Sequence, residues 1–132
     1  MNLYTDPDIL VKELNYFTDP IYEAGGFILE REGMYMFLYL RNKHHNTDTG
    51  RALYEPEDQE YADAIFPLTK NGWHLYASVH THPSFSPVYS QIDYSQLFQG
   101  FKHNYIKSVR QDTIVKWSWK EDGTNLDGVF IL

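Results

Sequence analysis

Two histidines at alternate positions, His80 and His82, are followed by Pro83, and an aspartate, Asp93, stands eleven residues after the second of them. On a β-strand, residues two apart point to the same side. The two imidazoles can therefore reach one ion, and a carboxylate returning across a short loop can complete a set of three protein ligands. Three ligands leave one tetrahedral position open, which distinguishes a catalytic zinc from a structural one. A lone His-x-His is an ordinary strand sequence, so the downstream Ser90 and Asp93 carry the reading. Ser90-Gln91-Ile92-Asp93 also fits a capping box, in which the serine caps a helix and the acid three residues on reaches back. Cap and metal compete for the Asp93 carboxylate, and two histidines within reach favour the metal.

Written as H-x-H-P-x6-S-x2-D, this pattern resembles the JAMM metallopeptidases, also called JAB or MPN-plus. Their other fixed element is a glutamate just before a Gly-rich apolar strand, and Glu23-Ala24-Gly25-Gly26-Phe27-Ile28-Leu29 matches it. The resemblance runs from about Ile21 to Gly100. It implies Zn2+ held by His80, His82 and Asp93, Glu23 as general base toward the attacking water, and Ser90 as donor to the developing oxyanion. The reaction it implies is hydrolysis of an amide or isopeptide bond, with the extended C-terminal tail of a ubiquitin-like or other small protein as substrate. Cell-wall peptides and toxin-associated substrates belong to the same range.

Glu30 is the rival base, but it lies seven residues further along the same strand. At ~3.3 Å per residue it stands more than about 20 Å away and faces the other side. Gly25 and Gly26 favour Glu23, because a missing side chain lets backbone and ligand approach closely. The family's usual pattern has a glycine where this chain has Glu30, a departure that bears on the far end of the strand. His74 lies six residues before His80 and is too distant to share its ion. His44, His45 and His103 sit in polar segments and read as surface residues.

The elements that must position these groups can be read from punctuation and periodicity. Thr5 or Asp6 caps a helix with Pro7 in its first turn that is expected to run to about Phe17, burying Ile9, Leu10, Leu14 and Phe17. Ala24–Arg31 and Met34–Leu40 read as a hairpin turned at Arg31-Glu32-Gly33. Asp48-Thr49-Gly50 is a turn within the polar segment Arg41–Gly50. Glu57–Phe66 is a helix that Pro67 should stop. After a turn at Asn71-Gly72, Trp73–His82 is the strand bearing both histidines. A loop over Pro83–Tyr89 leads to a helix from Ser90 to about Phe101. Tyr105–Val109, Thr113–Lys120 and Gly128–Leu132 complete the strands. This order predicts an α/β chain of the α+β type, with a curved mixed sheet flanked by helices. By resemblance it is the JAB/MPN domain, whose architecture is cytidine-deaminase-like.

With 132 residues the chain is expected to form one domain. A net charge of -7 disfavours a polyphosphate partner, so nucleic acid is not expected. Cysteine is absent, which removes disulfides, Cys-ligated zinc and thiol nucleophiles, and fits a cytoplasmic location. No signal peptide is expected at Met1–Asp6, and no apolar stretch is long enough to span a membrane. The high aromatic content reads as core filling.

Other frames that use these residues fit less well. A cupin would need a nearby glutamate in an all-β jelly roll, an amidohydrolase barrel about 250 residues, and a zinc deaminase the cysteines missing here. A non-catalytic MPN-type scaffold is the serious alternative, though such members usually lack the ligands. An extended substrate is expected to add to an exposed strand edge, with the strand bearing Glu23 and the loop after His82 as walls.

Overall fold

The computed structural model describes residues 3–14, 18–96 and 100–132. The elements, in chain order, are α1 (Pro7–Lys12), β1 (Gly25–Arg31), β2 (Met34–Tyr39), a 3-10 turn (Asp48–Arg51), α2 (Asp58–Lys70), β3 (His74–His82), α3 (Gln91–Gln96), β4 (His103–Ser108), β5 (Thr113–Trp119) and β6 (Leu126–Phe130). The six strands form one mixed sheet in the order β2-β1-β3-β4-β5-β6. All neighbours are antiparallel except β3 and β4, which run parallel and are joined across α3. The fold is therefore of the α+β type, with a mixed sheet and three helices. Among the described residues no helix is long and apolar enough to cross a membrane.

Side-chain alternation divides the sheet into two faces. Ile28, Ala77, Val79, Tyr105 and Ile114 pack against Leu10 and Val11 of α1. Phe27, Leu29 and Ile106 point the other way, into the layer that holds Tyr54 and Ile65 of α2. Phe27 pairs with Ser78 and Ile106 with His80. His80 and His82 therefore belong to the α2 side, and α3 returns over the same side to meet them.

The hairpin closes as read from sequence, with Arg31 opposite Met34 and positive φ at Glu32 (52°) and Gly33 (78°). Both turn residues in the left-handed region match the right-handed twist of the strands. Two helix boundaries differ from expectation. The first helix ends at Lys12 with Glu13 as its C-cap, well short of Phe17, which lies outside the described residues. Ile9 is exposed, and the buried pair is Leu10 and Val11, with Leu14 packed at the margin. Asp8 sets this orientation: its Oδ1 accepts from the Tyr105 hydroxyl at 2.6 Å and lies 3.5 Å from the Lys116 ammonium, which turns the adjacent face toward the sheet.

Pro67 does not stop the second helix, which continues to Lys70. A proline inside a helix forfeits one backbone bond and typically costs about 3 kcal/mol. Here the last turn is retained because Leu68 packs beside Ile65 and Trp73. Thr69 Oγ1 donates to the Phe66 carbonyl at 3.1 Å, and Asn71 Nδ2 to the Pro67 carbonyl at 2.9 Å. The third helix is described as far as Gln96. His103 is half-buried rather than on the surface. Its ring stacks on Tyr76, its Nδ1 lies 2.7 Å from Ser118 Oγ, and burial followed by the charges of Lys116 and Lys102 pushes its pKa down to about 4.

Gly25 is where the sheet admits the site. It sits opposite His80, and a methyl group there would stand 2.5 Å from the Val79 carbonyl oxygen and 2.8 Å from the Tyr54 ring. We expect Gly25→Ala to cost about 1–3 kcal/mol of stability, as overpacking does, and to weaken metal binding by displacing Glu23 relative to His80. Urea denaturation and metal titration of the purified variant measure the two effects.

Candidate metal centre

The end of β3 supplies His80 and His82, the segment before β1 supplies Glu23, and the first turn of α3 supplies Asp93. All four side chains are buried, and one ligand atom from each lies within 4.8 Å of the others. His80 Nε2 is 2.9 Å from Asp93 Oδ1 and 4.0 Å from Glu23 Oε1, while His82 Nε2 is 3.0 Å from Asp93 Oδ2. The histidine pair thus converges with both carboxylates.

Each group is held by a different device. His82 Nδ1 lies 2.9 Å from the Ser86 carbonyl oxygen, which can only accept, so Nδ1 carries a proton and donates, and Nε2 is turned toward Asp93 Oδ2. Asp93 accepts at Oδ2 from the Ser90 backbone N–H at 2.9 Å, and its own N–H donates to Ser90 Oγ at 3.1 Å. This is a complete capping box. It corrects the expected competition between cap and cluster, because one carboxylate does both: Oδ2 serves the cap and His82, while Oδ1 faces His80. Ser90 Oγ accepts in the cap and keeps its O–H hydrogen for another acceptor.

Glu23 is fixed through its backbone. Its N–H donates to the Gly50 carbonyl at 2.7 Å, and its carbonyl accepts from Asn42 Nδ2 at 3.0 Å. The next residue, Ala24, bonds Thr81 twice, giving its N–H to Thr81 Oγ1 and accepting from the Thr81 N–H, both at 2.9 Å. Asn42 is buried and also donates to the Leu53 carbonyl at 2.7 Å, while its Oδ1 accepts from the N–H groups of His44 and Glu55. All of its amide capacity is used to tie three loop strands together. Sequence reading missed Asn42, Gly50 and Thr81 as positioning residues. A single asparagine in a polar segment carries no local signal that it is buried.

Glu30 is at the hairpin turn, where Oε1 accepts from the Gly33 N–H, and His74 pairs beside it, so neither joins the cluster. His44 lies 3.0 Å from Glu55, and His45 lies 3.4 Å from Asp19. β1 lies between β2 and β3, and the backbone around Glu23 is already engaged. The edge strand on this side is β2, bridged by Tyr4 at Tyr35.

Burial dominates the electrostatics. It pushes the Glu23 carboxyl up to about 7, against the opposing charges of His80 and His82. For Asp93, burial would act upward too, but His80, the bond from His82 and the Ser90 N–H overcome it and hold the carboxyl far below its usual range. At His80, burial disfavours the imidazolium, yet Asp93 and then Glu23 outweigh it and raise the pKa.

The residues present fit a metal ion. Among the described residues only four buried side-chain polar atoms have no hydrogen-bond partner, and three of them are Glu23 Oε1 and the two ring nitrogens of His80. The 2.9 Å approach of His80 to Asp93 is thus a close contact rather than an aligned hydrogen bond. Unsatisfied buried groups are costly and rare in folded proteins, and a cation at His80 Nε2 would satisfy that nitrogen. Donors sharing an ion at ~2.0–2.1 Å in a tetrahedral shell stand about 3.3 Å apart. The Asp93 separations of 2.9 and 3.0 Å are near that value, and Glu23 at 4.0 Å lies beyond it.

Comparison with known proteins agrees with this geometry. Residues 17–120 match the model of a family described as prokaryotic homologs of the JAB domain. Among solved structures, the solution structure of protein DSY2949 from Desulfitobacterium hafniense superposes with a TM-score of 0.62 at 19% identity, covering 92% of this chain and 84% of that one. That likeness speaks for the fold. No curated protein matches the sequence.

The cluster is expected to bind one divalent ion per chain. Titration of metal-stripped protein should give unit stoichiometry and a rise in Tm, since an ion that binds the folded state stabilises it. Asp93→Asn should weaken binding at least about tenfold, as loss of a charged ligand does in coordination shells that depend on it. Unchanged affinity in Asp93→Asn would place the ion elsewhere.

Proposed function

Because the chain belongs to the family of prokaryotic homologs of the JAB domain, we propose that it is a zinc-dependent hydrolase. Its substrate is an amide or isopeptide bond that follows the extended C-terminal tail of a small protein, ubiquitin-like or otherwise. The observation that carries this reading is the buried cluster of two imidazoles and two carboxylates, in which Glu23 Oε1 and the His80 ring nitrogens have no hydrogen-bond partner. His80, His82 and Asp93 would hold the ion through two nitrogens and a carboxylate oxygen, a donor set suited to zinc. Zinc supplies Lewis acidity there, polarising a carbonyl oxygen and lowering the pKa of water to ~7.

The remaining work falls to the protein. Glu23 Oε1 has no hydrogen-bond partner and accepts the proton of the attacking water, then passes it to the leaving amine. In the metal-free protein burial raises its pKa to about 7, and a bound cation would lower it toward the carboxylate form that accepts a proton. The carboxylate is held in place by Gly50 and Asn42 through the backbone, so it approaches the reacting atoms without reorganisation. The Ser90 O–H would donate to the oxyanion as charge develops on the scissile carbonyl. The substrate tail would run along a polar cavity of about 290 Å³ beside Glu23, lined by Tyr39 of the edge strand together with Arg41 and Lys43. Absence of cysteine supports a cytoplasmic setting.

Glu23→Gln should keep the metal and lose turnover by a factor of about 10²–10⁴, the usual contribution of a positioned base. The check is hydrolysis of a ubiquitin-like fusion by zinc-loaded wild type and variant, with zinc content measured on both. Retained turnover in Glu23→Gln would remove Glu23 from the chemistry. Loss of zinc from that variant would instead make it a ligand.

A further inference from the structure

Two concavities meet at Glu23, and they differ in kind. One is the polar cavity already described. The other, about 330 Å³, has only Glu23 in common with the first and shares Glu23, His82 and Ser90 with the metal centre. Its remaining wall is built mainly from Phe85, Val88, Tyr89 and Ile92, and no charged side chain lines it apart from Glu23 and His82 of the centre itself. A volume at the lower end of the range for small-ligand sites, ~300–1,000 Å³, suits one large side chain rather than a whole cofactor.

Three of these wall residues expose much of their apolar surface, Phe85 at 62%, Val88 at 55% and Ile92 at 41%. Single exposed apolar residues are ordinary, but several gathered around a concavity mark a binding surface. The loop that carries Phe85 and Val88 is tied down. The Ser86 carbonyl holds His82, the Pro87 carbonyl accepts from Trp117 Nε1 at 2.9 Å, and the Tyr89 ring packs edge-on against Trp117 with centroids 4.9 Å apart. The bond that sets the tautomer of His82 therefore also sets the shape of this pocket, and the pocket adjoins the reacting centre by construction.

We propose that this pocket is a side-chain subsite that selects a bulky apolar residue, such as Phe, Leu or Met, at one of the two positions flanking the scissile bond. The inference rests on the hydrolase reading above and narrows its substrate class. The occupant follows from continuity with the centre and from the wall chemistry: a charged side chain would lose hydration without gaining a partner, and glycine would leave the apolar walls in water. The polar cavity provides no such selection, so the preference applies to one flank.

The test uses zinc-loaded protein and two peptide series with a flexible sequence, each varying one flank of the scissile bond through Gly, Asp, Leu and Phe. The expected result is a kcat/KM at least about tenfold higher for Leu or Phe than for Gly at one flank, consistent with the binding of several buried methylenes. Phe85→Ala and Val88→Asp, both at exposed positions, should reduce that preference below about threefold by lowering kcat/KM for the Leu and Phe peptides more than for the Gly peptide. Equal rates for Gly and Phe at both flanks, or a preference that survives both variants, would overturn the subsite. A second readout does not need turnover. In zinc-loaded Glu23→Gln protein, the Leu peptide should shift the backbone amide resonances of Phe85, Val88 and Ile92, and the Gly peptide should not. Such shifts without hydrolysis by wild type would uphold the pocket and defeat the hydrolase reading. Absence of both shifts and turnover would defeat the pocket.

Discussion

Four ionisable side chains are buried within a few ångströms of one another, and the rest of the architecture accommodates that. Glu23, His80, His82 and Asp93 all lie under the surface, yet Glu23 Oε1 and His80 Nε2 have no hydrogen-bond partner. Burying charge is tolerated only where it is paired or shared with an ion. The protein meets the requirement partly by itself: Asp93 remains ionised between two imidazoles and a helix cap, and its charge raises the pKa of His80. What is left over is an imidazole nitrogen of His80 able to engage a cation, and a Glu23 oxygen beside it able to accept a proton. A centre so arranged needs rigid walls, because a shift of an ångström would turn a shared donor set into isolated unsatisfied groups.

The walls are supplied from both layers of the fold. β3 and β4 run parallel in the middle of the sheet, which puts the C-terminal end of β3 where α3 begins. This is why a helix cap can also be a cluster member. From the other direction, Gly25 lets β1 pass close to β3 and to the Tyr54 ring, while Asn42 and Gly50 fix the backbone of Glu23. The loop over 83–89 performs two tasks through adjacent carbonyls, Ser86 orienting His82 and Pro87 anchoring the apolar wall to Trp117. A polar and an apolar cavity therefore both border the Glu23 carboxylate.

Much of this was legible in the sequence, and the reasons are specific. His80 and His82 could be paired because strand alternation has a fixed period, and Asp93 could be joined to them because a short loop limits how far it can travel. Strand length showed that Glu23 and Glu30 could not serve one site, and Gly25 and Gly26 favoured Glu23. The hairpin was legible because its turn requires positive φ, which Gly33 supplies. Other features depend on tertiary contacts and leave no local mark. Pro67 reads as a stop, but Leu68 packs into the core and keeps the helix going. Ile9 and Leu10 are alike in sequence, and the bonds made by Asp8 decide which is buried. Asn42 looks like any loop asparagine until the chain closes around it. The double use of Asp93 was hidden because sequence shows which residues compete for a carboxylate, but not that its two oxygens can be divided between them.

Anomalous diffraction at the zinc edge, from crystals soaked in zinc, tests the central claim most directly. The expected result is a single strong peak within bonding distance of His80 Nε2, His82 Nε2 and the Asp93 carboxylate, with Glu23 outside that distance. A soaked crystal with no anomalous peak among these side chains would contradict it, as would an ion bonded to Glu23 with Asp93 engaged only in the cap of α3.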